Sequence, residues 1–239
     1  MKSFTIEVVA SSVRSCINAQ RGGATRIELC SALATAGITP SNGLLTAVKK
    51  NVDLPVFVMI RPREGDFCYD QHEVDVMKME IESLQKAGAD GFVLGMLKSS
   101  GEIDHQLTTE LVAFCKPYPV TFHRAIDCTP NLPEALEAII DSGCVRVLTS
   151  GGKGTGPEGI EMIVQLEEQS SGRIAIMPGG GIRPDTFHSV LHKSISDYHL
   201  SGRLVVESPM PFKLFDMNWA ETDEASIRQV VNEAEKFFS

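Results

Sequence analysis

The amino-acid sequence predicts an α/β fold in which eight parallel strands close into a (β/α)8 barrel, the TIM barrel. Short runs rich in β-branched and apolar residues recur eight times, and each is followed by an amphipathic stretch of helical length. Such alternation is typical of right-handed βαβ units, which build parallel sheets. The chain has 239 residues, and a barrel of this kind takes about 250.

The alternative architecture is an open, doubly wound sheet, which binds a nucleotide at a glycine-rich turn after its first strand. Here the residues that follow Val9 are Ala10, Ser11 and Ser12, and the pattern G-x-G-x-x-G is missing. The barrel is therefore favoured. Proline and glycine stand at the ends of the predicted strands and form no continuous linker. We expect a single domain over residues 1–239.

Each predicted strand is a short apolar run bounded by turn residues, and each predicted helix has apolar residues at helical spacing. The predicted strands cover residues 4–10, 25–31, 56–62, 91–97, 120–125, 145–151, 174–180 and 196–202. The predicted helices cover residues 13–21, 43–51, 71–87, 106–115, 132–142, 158–169, 184–192 and 221–237.

The charge balance excludes some classes of partner. With 22 basic and 31 acidic residues the net charge is −9, whereas proteins that bind nucleic acid or anionic membranes need a basic surface. No apolar run approaches the roughly 20 residues that span a bilayer, and residues 1–14 lack the apolar core of a signal peptide. The six cysteines include no C-x-x-C pair. We expect reduced thiols in a cytoplasmic protein without membrane or nucleic-acid partners.

Active sites of such barrels lie at the carboxyl ends of the strands, and alternate residues of each strand face the interior. Counting from the apolar residues that should face the helices identifies the inward side chains. They are Glu7 and Val9 on strand one, Glu28 and Cys30 on strand two, Met59 and Arg61 on strand three, Thr121 and His123 on strand five, and His199 and Ser201 on strand eight. Arg63 and Asp66 follow strand three at the mouth, and Arg124 and Asp127 follow strand five.

Buried charges need partners, because desolvating a lone charge costs more than one hydrogen bond returns. We expect a polar network among Glu7, Glu28, Arg61 and His123. The network either forms an active site or only satisfies itself inside a barrel with polar layers, and its position at the carboxyl end favours the active site.

Three consecutive glycines, Gly179, Gly180 and Gly181, follow strand seven. Barrels often bind phosphate with the loops after strands seven and eight, and glycines let backbone N–H groups approach an anion. A tight turn that requires positive φ is the alternative reading. We expect a pocket for a small anion here.

Cys30 is the thiol nearest the predicted site. A single inward cysteine is often packing, but a thiolate beside histidine or carboxylate would suit Cu(I), which prefers sulfur ligands. Cys68 and Cys128 lie in the loops after strands three and five and are candidate second ligands. The other three cysteines lie on or beside predicted helices and are interpreted as packing: Cys16, Cys115 and Cys144.

Several of these segments together resemble the CutC family of copper homeostasis proteins. The matching stretches are I-E-V at residues 6–8, G-G-A at 22–24, R-I-E-L-C at 26–30, T-P-S at 39–41, M-I-R-P-R at 59–63, G-D-F at 65–67, V-T-F-H-R-A at 120–125, R-V-L-T-S-G at 146–151 and M-P-G-G-G-I at 177–182. The resemblance implies a cytosolic (β/α)8 barrel that binds Cu(I) and forms dimers or tetramers. In a eukaryotic source it implies a nuclear location as well.

The resemblance also implies two copper ligands, a cysteine that ends strand one and a cysteine that ends strand two. Cys30 matches the second, but Val9 stands where the first would be. Because valine cannot bind a metal, a second ligand would have to come from Cys68, Cys128, His123 or a partner subunit.

Two functions from different classes follow. The first is Cu(I) binding or trafficking through Cys30 in copper homeostasis. The second is catalysis on a small anionic or phosphorylated substrate, with Arg61 and Arg63 as an oxyanion clamp, Glu28 or Glu7 as general base and His123 as acid. The remaining candidate ligand-binding residues of this second function are Asp66, Arg124, Asp127, Gly179, Gly180, Gly181 and His199. A role in assembly or partner binding is a third alternative.

Overall fold

The eight strands form as the alternation predicts, and all of them are parallel neighbours in one sheet. The computed structural model describes residues 4–212, 214 and 217–239. The strands are β1 (Thr5–Ala10), β2 (Arg26–Leu29), β3 (Val56–Met59), β4 (Gly91–Leu94), β5 (Val120–Phe122), β6 (Arg146–Thr149), β7 (Ala175–Pro178) and β8 (Asp197–Leu200). Their order in the sheet is β7-β6-β5-β4-β3-β2-β1-β8. The sheet curls into a nearly closed barrel, which confirms the predicted fold class.

Among the described residues, seven α-helices surround the barrel: α1 (Val13–Gly22), α2 (Asn42–Lys49), α3 (Gln71–Lys86), α4 (His105–Cys115), α5 (Leu132–Asp141), α6 (Ile160–Ser170) and α7 (Glu224–Phe238). Polar caps fix where they begin. Asp70 and Glu73 form a reciprocal capping box at the start of α3, and the Asp223 side chain accepts from the Ser226 N–H at the start of α7. No helix in the described part of the chain is long and apolar enough to cross a membrane.

The helix predicted over 184–192 is wrong. The structure has one 3-10 turn there, Phe187–Val190. Its two buried residues, Phe187 and Val190, are three apart, which is the repeat of a 3-10 helix. The hydroxyl of Ser189 donates to the carbonyl of Thr186, so a side chain competes with the backbone bonds that an α-helix would need.

The segment after β8 also differs from the sequence prediction. Residues 203–222 carry an antiparallel pair, β9 (Arg203–Val206) and β10 (Trp219–Thr222), where we expected no strands. The pair shields little apolar surface. Leu204, Val205 and Trp219 are exposed on it, as are Phe212 and Leu214 in the connection.

The barrel interior has apolar and charged layers. Val9, Cys30, Phe57, Met59 and Val93 form an apolar cluster inside the strands, while outward residues pack against the helices in the main core. The register of β1 with its two neighbours, β2 and β8, determines which inward side chains lie close together. Glu7 is level with His199 of β8, and Val9 is level with Glu28 of β2.

Candidate functional site

Three polar side chains meet on the floor of the barrel mouth. Glu7, Glu28 and His199 lie on adjacent strands, are all buried, and have potential ligand atoms within 4.8 Å of one another. Glu7 is fully buried and Glu28 is 3% exposed. The two-residue period of the strands places these side chains inside the barrel.

Glu7 is held from two sides. Its Oε2 accepts from Nε of Arg26, and its Oε1 lies 2.8 Å from Nδ1 of His199. Burial alone would raise the pKa of Glu7, but Arg26 and His199 together lower it to about 2. Glu7 is therefore an ionised carboxylate at neutral pH.

Glu28 has the opposite environment. Its Oε2 is buried, has no hydrogen-bond partner among the described residues, and lies 3.9 Å from Nδ1 of His199. Burial, with a further contribution from the charge of Glu7, raises the pKa of Glu28 to about 7. Burial would lower the pKa of His199, but Glu28 and Glu7 raise it. Glu28 and His199 are thus two buried groups that compete for one proton near neutral pH.

Below this floor lies an ionic layer that the sequence analysis missed. Asp197 pairs with Arg26 at 3.2 Å and with Arg146 at 3.5 Å, and both guanidinium groups lie over the ring of Phe57. Strand alternation could have identified them as inward-facing. Arg26 stands two residues before the inward Glu28, and Asp197 stands two residues before the inward His199. These residues lie towards the amino-terminal ends of the strands, whereas the expected site residues lie towards the carboxyl ends.

The predicted four-residue network does not form. Arg61 donates to the backbone carbonyls of Thr35, Gly37 and Gly65 and stacks on the ring of Phe67. It joins the loops after β2 and β3 instead of pairing with Glu7 or Glu28. Glu7 takes Arg26 and His199 as partners, because these lie level with it on the adjacent strands. Glu28 lies level with Val9.

His123 is a neutral hydrogen-bond donor. Its Nδ1 accepts from the Ala125 N–H, so the proton of the neutral ring is on Nε2. That Nε2 is buried and has no partner among the described residues. Burial and the nearby Arg61 lower the pKa of His123 to about 3. His123 can therefore offer the Nε2–H of a neutral ring to a ligand.

Arg124 and Asp127 form one side of the rim. Asp127 accepts from Nε of Arg124, from Oγ1 of Thr149, and from the N–H and hydroxyl of Ser150. Arg124 also donates to Ser150. Asp127 is therefore fully used in fixing the loops, while the Arg124 guanidinium is half-exposed at the mouth.

The glycine loop after β7 is shaped by close packing. Gly180 and Gly181 have positive φ values of 82° and 67°, which glycine adopts without strain. A methyl group on Gly180 would lie 2.8 Å from Nη1 of Arg124, and one on Gly179 would lie 2.3 Å from the Leu148 side chain. The loop therefore lies directly against the cation of the rim.

A cavity of about 400 Å³ opens above the floor. Of the predicted site residues, it is lined by Glu28, Arg61, His123, Arg124, Asp127, Gly180, Gly181 and His199. Phe67, Cys128, Ser201 and Arg203 also line it. Of these, Cys128 was expected only as a copper ligand and Ser201 only as an inward residue, whereas Phe67 and Arg203 were not among the expected site residues. Its size suits a small organic ligand.

Arg63 and Asp66 are not among the residues that line this cavity. Arg63 pairs with Glu73 and with Asp66, and it donates to the carbonyl of Cys68. The proposed clamp of Arg61 and Arg63 on one oxyanion is therefore wrong for this geometry. Both side chains are used to fix the loops at the mouth.

The thiols are dispersed. Cys30 is fully buried in the apolar cluster, and burial, with the nearby charge of Glu28, raises its pKa well above the usual range. Cys68 is half-buried and Cys128 is exposed. Three others are buried, as the packing interpretation expects: Cys16, Cys115 and Cys144.

The comparisons with known proteins agree with one another. A sequence profile of the CutC family matches residues 4–204. The copper homeostasis protein cutC homolog of Mus musculus is 49% identical over 211 residues, which are 88% of this chain and 78% of that protein. The protein of the same name from Homo sapiens is 48% identical over 211 residues, covering 88% and 77%.

Solved structures give the same result. A CutC crystal structure from Streptococcus agalactiae has a TM-score of 0.77 and 28% identity, covering 82% of this chain and 97% of that one. A thiamine phosphate pyrophosphorylase from Pyrococcus furiosus has a TM-score of 0.61 at 13% identity, covering 99% of this chain and 98% of that one. That second likeness is one of fold alone. The chain belongs to the CutC family.

Proposed function

We propose that the protein is a barrel enzyme that binds a small anionic organic molecule in the cavity and acts on it at Glu28 and His199. The observation that carries the proposal is the buried Oε2 of Glu28, which lies 3.9 Å from Nδ1 of His199 and has no hydrogen-bond partner in the part of the chain that the structure describes. A buried polar atom without a partner is costly. Such atoms are expected where a ligand or a transferred proton completes the site.

The other cavity residues supply donors for the anion. His123 offers its Nε2–H, and Arg124 offers a guanidinium at the rim beside Gly180. Arg61 adds positive charge without a carboxylate partner among the described residues. An oxyanion held by His123 and Arg124 would place the rest of the molecule over Glu28, where the Glu28 and His199 pair can take up or return a proton.

Calorimetric titration of inorganic phosphate and of small phosphorylated and carboxylated compounds tests this proposal. We expect at least one class to bind the wild type and to bind His123→Gln at least tenfold more weakly. The matched control is His72→Gln, because His72 is exposed on α3. If no anion binds, or if both substitutions have the same effect, the proposal fails.

A second candidate function is Cu(I) binding in copper homeostasis. It is supported by the names of the relatives and by one contact, since Cys30 and Met59 pack against the same glycine. A methyl group on Gly37 would lie 3.2 Å from Sγ of Cys30 and 3.8 Å from the Met59 methyl carbon. A thiolate and a thioether are the soft ligands that Cu(I) prefers, and this pair would replace the missing cysteine at Val9.

An anaerobic Cu(I) titration against a competing chelator tests the copper proposal. The expected result is about one ion per chain, lost in Cys30→Ser and weakened in Met59→Leu. Cys16→Ser is the matched control, because Cys16 is equally buried but lies on α1. Weak binding that Cys30→Ser leaves unchanged would eliminate copper at this position.

We also propose that the chain forms a dimer or tetramer in the cytoplasm, and in the nucleus of a eukaryotic cell. The exposed apolar residues of the β9–β10 pair support self-association. The free cysteines support a reducing compartment. Sedimentation of the wild type and of Val205→Asp tests the first part, and imaging of the tagged protein tests the second.

A further inference from the structure

We propose that Glu7, Glu28 and His199 form a binding site for one divalent transition-metal ion at the floor of the cavity. This ion is distinct from Cu(I) at Cys30. The inference goes beyond the proposed function, because binding of the ion can be measured without any organic ligand.

The distances suit a metal ion. Bonds of about 2.1 Å from one ion to oxygen and nitrogen ligands place those ligands roughly 3 to 4 Å from one another. Here Nδ1 of His199 lies 2.8 Å from Oε1 of Glu7 and 3.9 Å from Oε2 of Glu28. Small side-chain rotations would therefore place all three atoms around one ion.

The charges leave room for a cation. The buried layer contains three carboxylates, Glu7, Glu28 and Asp197, against two guanidinium groups, Arg26 and Arg146. His199 is neutral when it binds a metal ion, so the three carboxylates then exceed the two guanidinium groups by one negative charge, and Oε2 of Glu28 has no hydrogen-bond partner among the described residues. Burying an unpaired charge is expensive. A divalent ion between these side chains would supply the missing positive charge.

The ligand types select the kind of ion. Two carboxylates and one imidazole suit Mn²⁺, Fe²⁺ or Zn²⁺, whereas Cu(I) prefers sulfur. Glu28 and His199 line the cavity, so further coordination positions would face the ligand space. Arg26 holds the other oxygen of Glu7, and such second contacts orient the ligands of metal sites.

An ion at this floor would change how the site acts on its ligand. Glu28 would then be a metal ligand and would no longer carry a proton. The ion would polarise an oxygen of the anionic molecule from below, while His123 donates to the anion from the wall.

Titration of Mn²⁺ into metal-free protein, followed by electron paramagnetic resonance, tests the inference, with Zn²⁺ calorimetry as a second measurement. We expect one ion per folded wild-type chain, and at least tenfold weaker binding in Glu28→Gln and in His199→Gln. Glu28→Gln leaves the pairing of Glu7 with Arg26 in place, and circular dichroism checks that each variant is folded.

Two control variants sharpen the result. Asp185→Asn removes an exposed carboxylate, and Cys30→Ser removes the thiol of the copper proposal. Both should bind Mn²⁺ like the wild type. The inference is overturned if the folded wild type binds no stoichiometric Mn²⁺ or Zn²⁺, or if Glu28→Gln binds them equally well. If phosphate still binds through His123 in that case, the proposed function survives without the ion.

Discussion

Oε2 of Glu28 lies 3.9 Å from Nδ1 of His199 and accepts no hydrogen bond from the described residues, although both side chains are buried. Glu7 lies on the adjacent strand β1, two residues before Val9, which is level with Glu28. Both of its carboxylate oxygens have partners. The barrel therefore contains one satisfied carboxylate and one unsatisfied carboxylate side by side. This difference determines how the two respond to substitution.

We expect Glu7→Gln to destabilise the protein and Glu28→Gln to stabilise it at pH 8. Glu7→Gln removes the carboxylate that accepts from Arg26 and contacts His199, at a cost of about 3 kcal/mol. Glu28→Gln instead removes a buried charge that has no hydrogen-bond partner among the described residues, and burial raises the pKa of this carboxyl, so the free energy of unfolding should rise. Urea unfolding of both variants at pH 8 measures the contrast, and equal losses would contradict this account of the floor.

The pKa of His123 predicts a loss of stability in acid. It is about 3 in the folded protein and about 6.5 in an unfolded chain. Below pH 6.5 the unfolded state binds a proton that the folded state does not, so stability falls as the pH falls from 6.5 towards 3. At pH 5 this contribution is about 2 kcal/mol.

Other carboxyl groups also titrate in this range, so the comparison must be between variants. The stability advantage of the wild type over His123→Gln should shrink by about 2 kcal/mol between pH 7.5 and pH 5. Arg61 and Asp127 also affect His123, and both are present in the two proteins. A constant difference across this range would show that His123 is not held neutral.

The contact between Gly180 and Arg124 can be tested with a matched pair of glycines. Gly180 and Gly172 have φ values of 82° and 75°, so alanine should cost each about 1 kcal/mol of stability from backbone strain. A methyl group on Gly180 would meet Arg124 at 2.8 Å, whereas nothing lies within 4 Å of one on Gly172. We expect Gly180→Ala to weaken phosphate binding about tenfold and Gly172→Ala to leave it unchanged. Equal affinities would remove Arg124 from the binding site.

The thiols should differ in reactivity. Cys128 is exposed and Cys68 half-buried, while the other four are buried, and burial raises the pKa of Cys16 and of Cys115 to about 12. Because the thiolate is the reactive form, Ellman's reagent should react readily with two thiols in the native protein and with all six in denaturant. Cys128→Ser should lower the native count by one. If Cys30→Ser lowers it instead, Cys30 is more accessible than its burial indicates.

Much of the fold follows from the sequence because strands and helices differ in period. Alternation predicted eight parallel strands, and strand parity placed Glu7, Glu28 and His199 inside the barrel. The 3-10 turn Phe187–Val190 was read as a helix because its buried residues, three apart, also fit helical spacing.

The partners of the inward charges could not be read in the same way. Arg61 binds backbone carbonyls in the loops after β2 and β3, and sequence periodicity does not report loop conformation. Arg26 and Arg146 share the parity of inward residues, but pairing them with Asp197 requires the order in which the strands close. The protonation of His123 depends on one backbone contact with Ala125.

A crystal structure of the protein with the tightest-binding anion of the titrations would show whether the cavity at the carboxyl end of the barrel binds a small anion over Glu28 and His199. We expect an oxyanion within hydrogen-bond distance of Nε2 of His123 and of the Arg124 guanidinium, with the rest of the molecule above Glu28. An anion bound elsewhere on the protein at saturating concentration, with this cavity containing only water, would contradict it.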